Sequence, residues 1–181
     1  MDNMLSNTYY VKALESYPYD LTETLEALGY ALSYNPEHAG AHCLLGRLYM
    51  EQLKQYDKAA DHYEQALVCD IDYILTYECY SMLCIYTKQY GKALDLISYA
   101  IGISGANEAI LKHRESLIYE NQGNLKAARK LMKEACNASC NEDERPYLKK
   151  ELERIKDKLG ASGRKSSKKS KKKPKKKSLK K

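Results

Sequence analysis

Two short stretches decide the fold: Leu45-Gly46-Arg47-Leu48-Tyr49, and Ala59-Ala60-Asp61-His62-Tyr63-Glu64-Gln65-Ala66. In the second, Ala59, Tyr63 and Ala66 fall on one face of a helix, with a bulky residue between two small ones. In the first, Gly46 removes a side chain where a second helix can approach, and Tyr49 fills the space a turn later. Between them Lys54-Gln55-Tyr56-Asp57 has the composition of a turn. The unit reads as a helix-turn-helix hairpin.

The unit repeats. Ala93-x3-Ile97-x2-Ala100 and Ala128-x3-Met132-x2-Ala135 follow the second stretch, and Thr24-x3-Leu28-x2-Ala31 is a weaker copy before it. The closing alanines stand at 31, 66, 100 and 135, so the steps are 35, 34 and 35 residues. The first stretch recurs as Tyr80-Ser81-x2-Cys84 and Glu115-Ser116-x2-Tyr119, with turns at Lys88-Gln89-Tyr90-Gly91 and Gln122-Gly123-Asn124. A constant period of this length is the signature of stacked supersecondary units. The ends differ, as terminal repeats must. Leu5, Tyr9, Ala13 and Tyr17 form a stripe broken at Pro18, and Asp20 with Glu23 starts a helix carrying Leu21, Leu25, Leu28 and Leu32. At the other end Leu148, Leu152, Ile155 and Leu159 make a narrow apolar stripe on a charged helix, which Gly160, Ser162 and Gly163 are expected to stop.

These residues resemble the tetratricopeptide repeat, whose signature includes Leu-Gly-x2-Tyr in its first helix and Ala-x3-Phe, then Pro, around its second. The resemblance covers about residues 21–142. Tyr63, Ile97 and Met132 stand in place of the Phe, Ile71 and Gly105 in place of the Pro, and Tyr77 nearest the Trp. It implies an all-α, right-handed superhelical solenoid of hairpins with a C-terminal capping helix and a disordered basic tail. The divisions are 1–38 for a degenerate N-terminal hairpin, 39–73, 74–107 and 109–142 for three repeats, 143–160 for the cap, and 161–181 for the tail.

Charge separates the body from the tail. The 181 residues carry 30 Lys and Arg against 24 Asp and Glu, a net charge of +6. Residues 161–181 alone hold eleven Lys and Arg164 with no acid, giving +12 and leaving −6 for residues 1–160. A lysine run of this density stays extended and attracts polyanions through counterion release, without reading sequence. Lys168, Lys169, Lys171, Lys172, Lys173, Lys175, Lys176 and Lys177 are the candidate contacts to nucleic acid or another polyanion. No run reaches the roughly 18 apolar residues of a membrane span, and no secretory leader is legible at the start. With six Cys that match no disulfide framework, a reducing, cytoplasmic location is expected; in a eukaryotic cell Lys171 to Lys177 would also resemble a nuclear-import signal. The aromatic content is lopsided: 17 Tyr, with no Phe and no Trp, so every large aromatic position carries a hydroxyl.

Catalytic chemistry has no motif here, and no cofactor is implied. His38 and His42 lie four apart, but His38 falls in an inter-repeat turn, and Cys79-x4-Cys84 and Cys136-x3-Cys140 lack zinc-ribbon spacing, so no metal site is expected. Binding is the better expectation, because stacked hairpins leave a concave face lined by the first helix of each repeat. The resemblance places Cys43, Arg47, Met50 or Glu51, Leu75, Glu78, Met82, Tyr86, Ile110, His113, Leu117 and Glu120 there. Of these, Arg47, Glu51, Glu78, Met82, Tyr86, His113 and Leu117 are the candidate peptide-binding residues. Tetratricopeptide receptors for chaperone tails clamp a carboxylate with Lys, Asn and Arg. The corresponding residues here are Cys43 and Arg47, Cys79, and Ile110 and Arg114; only Arg114 fits, so that ligand is not expected. The function expected is that of a non-enzymatic protein-interaction adaptor holding a peptide; the alternative is RNA, ribosome or other polyanion binding through the tail, with the body as scaffold.

Overall fold

The computed structural model describes residues 2–170, with the backbone alone from 162 onward. Nine helices and no strand are present among the described residues: α1 (Asp2–Ser16), α2 (Leu21–Tyr34), α3 (Ala39–Glu51), α4 (Tyr56–Cys69), α5 (Ile74–Tyr86), α6 (Tyr90–Ile101), α7 (Glu108–Asn121), α8 (Leu125–Ala138) and α9 (Glu144–Ser170). None of them is long and apolar enough to cross a membrane.

Each helix start is fixed locally. The Asp20 carboxylate accepts from the Glu23 N–H at 2.9 Å, His38 Nδ1 from the Ala41 N–H at 3.1 Å, Asn107 Oδ1 from the Ala109 and Ile110 N–H groups at 3.1 and 3.2 Å, and Asn124 Oδ1 from the Ala127 N–H at 3.2 Å. These acceptors satisfy donors that the first turn of a helix leaves free. The hairpin turns share a left-handed residue, at Lys54 (φ 55°), Lys88 (φ 61°) and Gly123 (φ 80°).

α1 packs on α2, α3 on α4, α5 on α6 and α7 on α8, and α9 covers α8. Between hairpins, α1, α3, α5 and α7 also pack on one another in series, while no comparable row joins α2, α4, α6 and α8. The first helices therefore stand closer together than the second ones, which makes theirs the inner row of a curved stack. The core is correspondingly segmented: one cluster lies under the N-terminal hairpin, a central one spans α3 to α7, and a third joins α7, α8 and α9.

Within each hairpin the predicted small-on-large crossing is present. A Cβ on Gly46 would stand 2.7 Å from the Tyr63 ring, so only glycine lets α3 and α4 meet. Ser81 and Ser116 occupy the same role and are fully buried, and Ser116 Oγ donates to the Ala128 carbonyl at 2.9 Å. In the N-terminal hairpin Ser6 does likewise, donating to the Ala31 carbonyl at 2.8 Å. That corrects the stripe expected on α1: Ser6, Ala13 and Tyr17 face inward, whereas Leu5 is 41% exposed. The two helices approach too closely for a leucine between them.

A second difference is at the C-terminus. The sequence places the end of the cap at Gly160 and an unstructured tail from 161, whereas α9 runs through Gly160 and Gly163 to Ser170. Two glycines cost about 1 kcal/mol each in a helix, and the Ala, Arg and Lys residues around them are good helix formers. Residues 171–181, with Lys171, Lys172, Lys173, Lys175, Lys176 and Lys177, lie outside the described residues.

The Gly46–Tyr63 contact gives two opposed expectations in urea denaturation. Gly46→Ala should destabilise by about 1–3 kcal/mol, since the clash is with a ring fixed in the core. Tyr63→Phe should stabilise by about 1 kcal/mol: Tyr63 is fully buried and its hydroxyl has no partner, so removing it removes a desolvation cost.

Candidate functional site

The inner row carries the candidate binding residues, and the fold uses them unequally. On α3, Arg47 Nε donates to Glu51 Oε1 at 3.1 Å, and Glu51 Oε2 accepts from the Tyr17 hydroxyl at 2.6 Å. The Arg47 guanidinium also lies 5.1 Å from the Tyr17 ring centre. Arg47 and Glu51 thus tie the N-terminal hairpin to the first repeat while remaining partly exposed. Burial, then the Glu51 carboxylate, pushes the Tyr17 phenol up to about 12. Beneath them, Cys79 on α5 accepts from the Cys43 thiol, which lowers the pKa of Cys79 and raises that of Cys43; Arg47 adds to the lowering at Cys79.

α5 supplies the most open part of the row. Tyr86 is 65% exposed and stands over a hollow of about 110 Å³ formed with Met50, Glu51, Lys54 and Tyr56. Met82 is half-buried against the central core, as is Leu117 of α7. Glu78 is half-buried with its carboxyl pKa raised, chiefly by that burial, against the opposing pull of Arg114. Leu75 is 41% exposed.

Three members of the expected inner face belong to the interior instead. Cys43 and Met50 are core residues of the central cluster. His113 is only 4% exposed, because Tyr147 of α9 meets its ring edge-on at 5.5 Å. Repeat spacing puts His113 on the open face of α7; it cannot show that the capping helix closes over that face. Glu120 is likewise claimed by α9: Arg154 grips both its oxygens at 2.5 and 2.6 Å, and Lys158 adds a bond at 2.7 Å. The Arg154 bonds hold the Glu120 carboxyl below the usual range.

The residues that sequence reasoning missed are Arg114, Glu144, Tyr147 and Leu148, which with Ile110 and His113 line a cavity of about 280 Å³ between α7 and the start of α9. Arg114 does emerge in the comparison with the chaperone-tail clamp. No signal in the repeat period reaches the other three, since α9 is not a repeat. The remaining histidines have structural partners. His38 caps α3 and its Nε2 lies 2.9 Å from Asn7 Oδ1; His42 Nδ1 is 3.2 Å from His62 Nδ1, and its Nε2 is 3.0 Å from the Pro36 carbonyl.

These burials set a pH dependence. Desolvation lowers the pKa values of His38 and His62 below the ordinary 6.5 and takes that of His113 down to about 4. A folded-state value below the unfolded one means that the unfolded chain binds more protons in between, so stability is complete above pH 6.5 and falls as pH drops toward 4. His113 alone accounts for up to roughly 3 kcal/mol of that loss. Urea midpoints measured from pH 7 to pH 4 should fall, and His113→Gln should flatten the slope.

No family model and no curated protein matches the sequence. Two solved structures are similar in fold. One, described as the crystal structure of MamA, is 19% identical, covers 74% of this chain and 77% of its own, and superposes with a TM-score of 0.63. The other, described as the crystal structure of MamA protein, is 16% identical over 91% of this chain and 94% of its own, with a TM-score of 0.60. At such identities the likeness is one of fold: this chain is built, like MamA, as a helical-hairpin solenoid of the tetratricopeptide-repeat type.

Proposed function

We propose that the chain is a non-enzymatic interaction scaffold that holds a peptide segment of a partner protein along the inner row of α3, α5 and α7. The observation that carries this reading is the exposure of Tyr86, at 65%, beside half-buried Met82 and Glu78 on the central helix of that row. Most large side chains around it are spent on packing, whereas this group presents an aromatic ring, a thioether and a carboxyl together. Aromatic anchors of this kind dominate binding energy at interfaces, and a row of parallel first helices suits an extended or helical ligand. Arg47 and Glu51 extend the surface toward the N-terminal hairpin and Leu117 toward the cap.

The test begins with peptides selected from a random library on the full chain. Tyr86→Ala and Met82→Glu should each weaken the selected peptides at least about tenfold, with circular dichroism unchanged. Unchanged affinity in both variants would remove the inner row as the binding surface.

Charge segregation favours a second reading, in which the basic C-terminus adds sequence-independent attraction to RNA, ribosomes or another polyanion. Residues 161–181 are +12 against a body of −6, and Lys168 and Lys169 lie on the extension of α9. If about six to ten phosphates are neutralised, affinity for a mixed RNA should drop by about 10³–10⁵ between roughly 50 and 200 mM salt. A chain ending at residue 160 should lose RNA retention at low salt; retention by that shortened chain would refute the reading.

A further inference from the structure

The cavity between α7 and α9 holds two polar atoms that the fold leaves unanswered. Arg114 Nε and His113 Nε2 are buried from solvent and have no hydrogen-bond partner. The Arg114 side chain makes no ion pair or hydrogen bond among the described residues, although burial of its guanidinium pulls its pKa down. Both atoms line the same space, about 280 Å³, whose other walls are Ile110, Tyr147, Leu148 and Glu144. A buried donor without a partner costs folding free energy, and a desolvated guanidinium costs more than a neutral group. Such a cost points to a partner that arrives from outside.

The size and charge of the cavity restrict that partner. Its volume lies just below the roughly 300–1,000 Å³ of sites for drug-sized molecules, so it suits one residue-sized group with an apolar side chain against Ile110, Tyr147 and Leu148. Its formal charge is balanced, because Arg114 is opposed by Glu144, which Asn107 Nδ2 holds at 3.0 Å, and Glu78 is close enough to Arg114 for each to perturb the other. An added anion would be attracted by one guanidinium and repelled by two carboxylates; an added cation would meet the reverse. A neutral amide avoids both penalties. Its carbonyl oxygen can accept from Arg114 Nε–H and from His113 in the Nε2–H tautomer, and its N–H can donate to Glu144. The cavity also adjoins the inner row, since Arg114 is within electrostatic reach of Glu78 and Tyr86 on α5.

We propose that this cavity is a binding site for one apolar residue of the partner peptide, presented with its neutral backbone amide, and that Arg114 and His113 receive the amide carbonyl while Ile110, Tyr147 and Leu148 receive the side chain. The inference rests on the reading of the inner row as a peptide-binding face and assigns the end of that face nearest the cap. It makes Arg114 a binding residue that the empty protein keeps at the expense of stability.

The test uses the full chain and three fragments that differ only in charge: N-acetyl-leucinamide, N-acetyl-leucine and leucinamide. Binding is followed by nuclear magnetic resonance through the ring nitrogens of His113 and the ring protons of Tyr147. The neutral fragment should give saturable shifts at both rings and bind about tenfold more tightly than either charged one, the cost of a charge facing an unmatched partner. Arg114→Met should abolish those shifts and raise the urea midpoint of the empty protein, because an unpaired buried charge has been removed. Tighter binding of the acid or of the cation would overturn the neutral-amide assignment. A lowered midpoint in Arg114→Met would make the arginine structural and overturn its role. Absence of shifts with all three fragments would remove the cavity as a site, while the peptide measurements on Tyr86→Ala would still decide the inner row separately.

Discussion

Everything in this fold depends on how closely the two helices of a hairpin can cross. At Gly46 the ring of Tyr63 occupies the space a side chain would fill, and at Ser81 and Ser116 the small residue is one atom larger than alanine. Close crossing lets the alanines at 59, 66, 93, 100, 128 and 135 pack without voids, each of them fully buried. Alanine contributes little apolar area, but it loses no side-chain entropy and permits short interhelical distances. The apolar mass is supplied by one bulky residue per hairpin, Tyr63, Ile97 or Met132. The hairpins are thus rigid units with thin internal cores, and what remains exposed after they form is the row along which they stack.

The sequence reveals the hairpins because their crossing points recur at a fixed period, and the structure returns the three repeats between α3 and α8 with their turns in the expected places. It reveals less where the period stops. Leu5 reads as part of a buried stripe by spacing alone, yet the hydroxyl of Ser6 fits the narrow gap to Ala31 and the leucine does not. His113 reads as a groove residue because its position in α7 matches open positions in other repeats. A non-repeating helix, α9, then places Tyr147 on it. Periodicity reports the contacts a unit makes with copies of itself; contacts with a unique neighbour leave no periodic trace.

Function divides the inner row in a similar way. Arg47, Glu51 and Glu120 hold neighbouring elements together through Tyr17, Arg154 and Lys158. Glu78, Met82, Tyr86 and Arg114 have no such employment, and they form a continuous track from the centre of the stack to the cap. The acidic residues used structurally are fixed in ion pairs, whereas the unused ones are polar groups in partly dry surroundings. Low dielectric makes unsatisfied groups responsive to any partner that can complete them. Selection for binding and selection for stability therefore act on different members of the same row.

The asymmetry between inner and outer helices has a mechanical consequence. With α1, α3, α5 and α7 in mutual contact and no matching row among α2, α4, α6 and α8, each pair of adjacent hairpins can rotate about the inner line while the outer side opens or closes. The stack is a series of short hinges, and its elastic compliance is the sum of theirs. Loads applied along the inner line meet the stiffest direction, and a segment lying across several first helices would act as a splint. Curvature is then a mechanical variable that an occupant of the inner face could set from one end of the stack to the other.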